Sequence, residues 1–111
     1  MKLSIIGSRS FFDYTMLEKI LNKEKIDILV SGGAIGADSL GEQYAENNNI
    51  PTLIFKPDWK RFGRAAGFIR NKDIIDNSDK VIAFWDGKSK GTLNSINLAK
   101  KQNKKVIIYE F

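Results

Sequence analysis

Apolar, largely β-branched residues cluster in five short runs, at 3–6, 26–30, 52–55, 81–84 and 106–109. Each run is too short for a helix and is bounded by turn residues, so each reads as a strand. Between them the apolar positions switch to helical spacing. Met16, Leu17, Ile20 and Leu21 mark a first helix, with Thr15 and Glu18 as a capping box at its start. Ala37, Leu40, Gly41, Tyr44 and Ala45 mark a second, which ends in Asn47-Asn48-Asn49 before Pro51. A third starts near Ala65 and carries Phe68, Ile69, Ile74 and Ile75; a fourth carries Leu93, Ile96 and Ala99. Strands that alternate with helices pair in parallel, because a parallel neighbour is reached only through a crossover.

The strands are apolar on both faces, as in a sheet covered by helices on each side. The expected fold is therefore α/β: a Rossmann-like three-layer sandwich with a five-stranded parallel sheet, one domain over residues 1–111. Ligands of such sheets bind at the carboxyl ends of the strands. The loops there hold Gly7-Ser8-Arg9, the stretch from Ser31 to Asp38, a long segment at 56–64, and the stretch from Trp85 to Thr92. Most of the nine glycines fall in these loops, whereas the turns at the opposite sheet edge have none. All four arginines, Arg9, Arg61, Arg64 and Arg70, lie in or beside them, while the lysines spread over helix faces.

Composition narrows the chemistry. With no cysteine and no histidine, disulfides, thiolate catalysis, the usual zinc sites and Ser/His or Cys/His arrangements are excluded, and no metal site is expected. A formal charge of +5 favours anionic partners without choosing among them. No stretch approaches the roughly 20 apolar residues of a membrane-spanning helix. The opening residues 1–6 make too short an apolar run for a secretory signal, so a cytoplasmic location is expected.

In the loop from Ser31 through Gly32, Gly33 and Gly36 to Ala37 and Asp38, glycines let the main chain approach an oxyanion at a helix start. The alternative is a tight turn with close helix-to-sheet packing. A carboxylate repels phosphate, so Asp38 is assigned to a ribose hydroxyl, a main-chain donor or the neighbouring loop. The loop from Asp86 through Gly87, Ser89 and Gly91 to Thr92 has the same design, and its hydroxyls either reach an anion or cap the helix. Gly87-Lys88-Ser89 is not a Walker motif, because Ile82 stands where that motif needs glycine. Gly32-Gly33 also lacks dinucleotide-fingerprint spacing, and no acidic residue ends the next strand. In the 56–64 loop, Asp58, Trp59 and the arginines offer base stacking and phosphate contacts, or Trp59 and Phe62 pack the loop onto the sheet. Arg70-Asn71, inside an apolar helix, points to the crevice or pairs with Asp58 or Asp86.

Taken in order, Gly7-Ser8-Arg9, the Ser31 to Asp38 loop, Pro57-Asp58-Trp59, Gly67 with Arg70-Asn71, and the run from Ala83 to Thr92 resemble the YspA/YpsA-related branch of the SLOG superfamily. That superfamily also holds the DNA-processing protein A fold and the LOG nucleotide phosphoribohydrolases. The resemblance implies a domain that binds a nucleotide or nucleotide-derived ligand between the glycine loops, as a sensor or binding module with no required cofactor. In such a module Arg9 and Arg70 are expected to grip phosphate and Trp59 or Trp85 to cover the base, and a dimer is expected because relatives are often dimers. The LOG enzymes carry P-G-G-x-G-T-x-x-E, whose glutamate serves glycosidic cleavage. Here Gly91-Thr92 keeps the Gly-Thr step, but Ser95 replaces the glutamate and Asp86-Gly87-Lys88-Ser89 the Pro-Gly-Gly run. A hydroxyl cannot supply negative charge to an oxocarbenium-like centre. Hydrolysis would need Asp38, Asp58 or Asp86 as the carboxylate. Single-stranded nucleic acid binding is a further alternative, not favoured over a small molecule.

Overall fold

The computed structural model describes residues Met1–Phe111. Five strands, β1 (Lys2–Gly7), β2 (Ile28–Ser31), β3 (Thr52–Ile54), β4 (Lys80–Trp85) and β5 (Lys105–Glu110), form one sheet in the order β3-β2-β1-β4-β5. Every pairing is parallel. The helices are α1 (Tyr14–Leu21), α2 (Ala37–Asn47), the short α3 (Trp59–Phe62), α4 (Ala66–Asp76) and α5 (Lys90–Lys101).

Side chains alternate across the sheet and fill two separate cores. Leu3, Ile5, Leu29, Ile82 and Phe84 pack on one face with Leu17 and Leu21 of α1 and Tyr44 and Ala45 of α2. Ile6, Val30, Val81 and Ala83 face the other way, against Ile74 and Ile75 of α4 and Ile96 and Ala99 of α5. The three-layer Rossmann-like sandwich expected from the alternating pattern is what the chain adopts. Strand order reverses between β1 and β4, so the loops after these two strands part to opposite faces and leave a crevice.

Local details depart from the sequence reading. The cap of α1 is Asp13, whose side chain accepts from the Met16 N–H at 3.1 Å, and Thr15 and Glu18 make no capping box. The segment read as a long loop contains α3 and a 3-10 turn over Gly63–Ala65. Phe68, assigned to the apolar face of α4, is 55% exposed. The glycine-free turns at the amino edge use asparagine instead: Asn49 and Asn103 take φ of 55° and 57° just past α2 and α5. There the Ile50 and Lys104 N–H groups close back on the Ala45 and Ala99 carbonyls at 2.8 and 3.0 Å, the helix-ending geometry for which glycine is the usual residue.

Candidate ligand cleft at the carboxyl edge of the sheet

The crevice between the β1 and β4 loops widens into a cleft of about 500 Å³, walled by the β1–α1 loop, the start of α2, the α3–α4 segment and the start of α5. Its base is set by Gly7 and Ser8. A Cβ on Gly7 would stand 2.5 Å from the Phe84 carbonyl oxygen and 2.6 Å from the Ala37 Cβ, so only glycine lets β1, β4 and α2 meet there. Buried Ser8 donates its N–H to the Phe84 carbonyl at 2.9 Å, and its hydroxyl accepts the Asp86 N–H at 3.1 Å. These two bonds hold the β1 and β4 loops side by side.

Beyond Trp85, the chain turns on a carboxylate. Asp86 Oδ1 accepts from the Lys88 and Ser89 N–H groups, both at 2.8 Å, and these bonds hold its carboxyl below the usual range. Ser89 then caps α5, accepting from the Thr92 N–H at 3.4 Å, and its hydroxyl lies 3.1 Å from that of Thr92. The Lys90 and Gly91 N–H groups make no hydrogen bond in the chain. They sit at the positive end of a helix dipole beside the cleft.

On the opposite wall, Asp38 Oδ2 accepts from the Gly32 and Ala34 N–H groups, each at 3.2 Å. Burial pushes its carboxyl up to about 6, against the opposing pull of these N–H groups and of Arg70. Arg70 reaches across from α4 and donates Nη1 to the Gly32 carbonyl at 2.7 Å and Nε to Asn71 Oδ1 at 3.1 Å. Asn71 in turn donates to the Gly91 carbonyl and to Asn94 Oδ1, both at 3.3 Å. One chain of polar contacts thus runs from the β2–α2 loop through α4 to the start of α5. Gly32 makes it possible, because a Cβ there would lie 2.5 Å from Arg70 Nη1 and 2.9 Å from Asp38 Oδ2.

Of the residues singled out in the sequence, Gly7, Ser8, Arg9, Asp38, Trp59 and Arg70 line the cleft, as do Asn71, Asp86, Ser89, Gly91 and Thr92. The others do not line it. Ser31 donates its hydroxyl to Glu42 at 2.8 Å. Gly33 and Gly36 take φ of 70° and 83° and shape the loop rather than the surface of the cleft. The Ala37 N–H turns to the Ser8 carbonyl at 3.4 Å, and Gly87 turns the β4–α5 loop with φ of 80°. Trp85 donates its indole N–H to the Ser89 carbonyl at 3.0 Å. Asp58 caps α3, accepting from the Arg61 N–H at 3.1 Å, and does not line the cleft, so the catalytic candidates that do are Asp38 and Asp86. Neither Asp58 nor Asp86 pairs with Arg70. Phe62 lies under the Arg61 guanidinium, 5.0 Å from ring centre to carbon, outside the cleft.

Polar and aromatic lining residues beyond those named from sequence include Ser10, Arg64, Phe68 and Ser95. Arg64 was visible only as one of the loop arginines. Ser95 lies one turn after Thr92 on the buried side of α5, and helical spacing alone would have placed it there. Three arginines, Arg9, Arg64 and Arg70, share the cleft, and none is in an ion pair. Trp59 and Phe68, 57% and 55% exposed, flank the same opening. No three carboxylate, histidine or cysteine side chains stand close enough to hold a metal ion.

This is a Rossmann-like α/β protein with a polar, arginine-lined cleft at the switch point of its sheet. The chain belongs to the YspA, cpYpsA-related SLOG family, whose model matches residues 1–62. The Gene 61 protein of Mycobacterium phage D29 is 31% identical over 117 residues, spanning 96% of this chain and 94% of that protein. Among solved structures, DNA processing protein A (DprA) from Streptococcus pneumoniae superposes with a TM-score of 0.81 at 18% identity, over 96% of this chain and 49% of that one. DprA from Helicobacter pylori, solved for its single-stranded DNA binding mode, gives a TM-score of 0.75 at 24% identity, over 97% of this chain and 64% of that one. The chain therefore spans about half to two-thirds of these DprA chains, and the likeness is one of fold.

Proposed function

We propose that the cleft binds a nucleotide or a nucleotide-derived ligand through its phosphate, as a binding or sensing module. The observation that carries this reading is the convergence of unpaired cationic and main-chain donors with exposed aromatic rings. Arg9, Arg64 and Arg70 meet the free N–H groups at the start of α5, and Trp59 and Phe68 stand at the same opening. Arginine forks and a helix start both favour phosphate oxygens, while flat rings favour a base. A volume of about 500 Å³ suits one small organic ligand. Ser95 at the position of the LOG glutamate favours binding over glycosidic cleavage.

The test is calorimetric titration of the full chain with a panel of ribonucleoside mono-, di- and triphosphates, repeated with Arg9→Ala and Arg64→Ala. Both side chains are exposed, so their loss leaves the fold intact. Each substitution is expected to weaken binding by roughly 5- to 50-fold, the value of one charge-assisted contact. Absence of binding across the panel, or affinity unchanged in both variants, contradicts the proposal. Chromatography of the same mixtures reports any product, and with it turnover by Asp38 or Asp86. The likeness to DprA supports a second reading, a single DNA strand laid over the aromatic and arginine side chains. That reading requires tight binding of short thymidine oligonucleotides that falls steeply with salt.

A further inference from the structure

Asp38 is only 7% exposed, yet its carboxylate is half satisfied. Oδ2 holds the β2–α2 loop through Gly32 and Ala34, whereas Oδ1 has no partner in the chain and is not sealed off from solvent. Asp38 lines the cleft. The charged groups around it are Arg70 on α4, which is committed to Gly32 and Asn71, and Glu42 on α2. Arg70 forms no ion pair with it, and Glu42 carries the same charge. A fixed, unpaired acceptor of this kind is complemented by a donor, and a phosphate group offers none. The donor must also lie close to the phosphate, because Arg70 and Asp38 converge on Gly32 and Arg9 lines the same cleft. In a nucleotide the group bonded to the phosphate is the sugar, and the base edge lies beyond it.

We infer that Asp38 is the specificity-determining residue of the cleft: its free carboxylate oxygen accepts a hydrogen bond from a ribose hydroxyl, so the site selects ribonucleotides over their deoxy forms. This rests on the nucleotide reading above and makes it narrower, since it disfavours DNA as the occupant. The role is that of a carboxylate on a sugar hydroxyl, reached here from the first turn of α2 rather than from the end of a strand.

The experiment compares each ribonucleoside 5′-diphosphate with its 2′-deoxy and 3′-deoxy forms by calorimetry, on the natural chain and on Asp38→Asn. Asparagine keeps a carbonyl oxygen for the Gly32 and Ala34 N–H groups and turns an NH₂ donor toward the cleft. The natural chain is expected to bind at least one deoxy form roughly 10- to 100-fold more weakly than the ribo form, as for a hydrogen bond to a charged group. In Asp38→Asn the ratio is expected to fall to within about threefold. Equal affinity for all three sugars in the natural chain overturns the assignment while leaving the nucleotide reading in place. So does a ratio unchanged in a folded Asp38→Asn, or a preference that follows the base and ignores the sugar. Binding of none of these compounds overturns both. The comparison on the natural chain decides the matter by itself if the variant does not fold.

Discussion

A carboxylate kept out of water costs stability, and Asp38 bears that cost in the window set by its two titration points. Unfolded it titrates near its ordinary 3.8 and folded near 6, so the native state holds the extra proton between those values. Stability from this group is therefore present at low pH and lost as pH rises through about 6. Above neutrality the full penalty applies, on the order of 3 kcal/mol. Asp38→Asn is expected to be more stable than the natural chain by about 1–3 kcal/mol at pH 8, with the difference vanishing toward pH 4. Urea unfolding across that range checks it, and parallel pH profiles for the two chains would rule it out. The glycines make a second residue-scale case. Gly36 and Gly87 share φ near 80°, but a Cβ on Gly36 would lie 2.5 Å from the Ser8 carbonyl oxygen, whereas one on Gly87 meets nothing within 4 Å. Gly87→Ala is expected to cost about 1 kcal/mol from backbone strain alone. Gly36→Ala should cost more than about 3 kcal/mol, because clash adds to strain. From sequence, both glycines read as phosphate-cradling positions, since a glycine needed for a ligand and one needed for a crowded carbonyl are the same letter.

The elements themselves were legible, because period-two and helical apolar spacing were each carried by several residues. Their ends were less so. The α1 start lies two residues before the Thr15 cap expected from sequence, because Asp13 and Thr15 are both good caps and only the fold decides between a carboxylate on the Met16 N–H and a hydroxyl on the Glu18 N–H. The short α3 was missed because four residues hold too little pattern to distinguish a helix from a loop. At the two ends of α5 the caps have separate consequences. Ser89→Ala is expected to lower stability by about 1 kcal/mol and to loosen the cleft-facing first turn, so weaker nucleotide binding should accompany the loss. At the other end, Asn103 sits in the left-handed region far from the cleft. Asn103→Ala should cost about 1 kcal/mol with ligand affinity unchanged, and Asn103→Gly should be neutral or stabilising. Thermal melts together with titrations separate these outcomes, and a binding defect in Asn103→Ala would mean that affinity merely tracks stability.

At the scale of the molecule, the layered fold and the sheet edge at which the cleft opens could be inferred from strand–helix alternation, while the cleft's cross-connections could not. That Arg70 reaches the Gly32 carbonyl depends on the β3-to-β4 crossover carrying α4 back across the sheet, which no local pattern encodes. The same crossover brings Arg64 and Phe68 to the cleft, which is why both were overlooked as lining residues. Conversely, Asp58 and Trp85 fell outside because each had a local bond to make, at the start of α3 and at the Ser89 carbonyl. A cleft lined by three arginines opens where strand order reverses, and the proposed function makes it the receptor for an anion. The most direct test is an amide-resolved NMR titration of the full chain with the tightest nucleotide of the panel. Saturable shifts gathered at Gly7, Ser8 and Arg9, at Gly32, Ala34 and Asp38, at Lys90, Gly91 and Thr92, and at the Trp59 indole are the predicted result. Shifts that do not saturate, or that gather at the opposite edge around Lys2, Ser78 and Lys105, would contradict it.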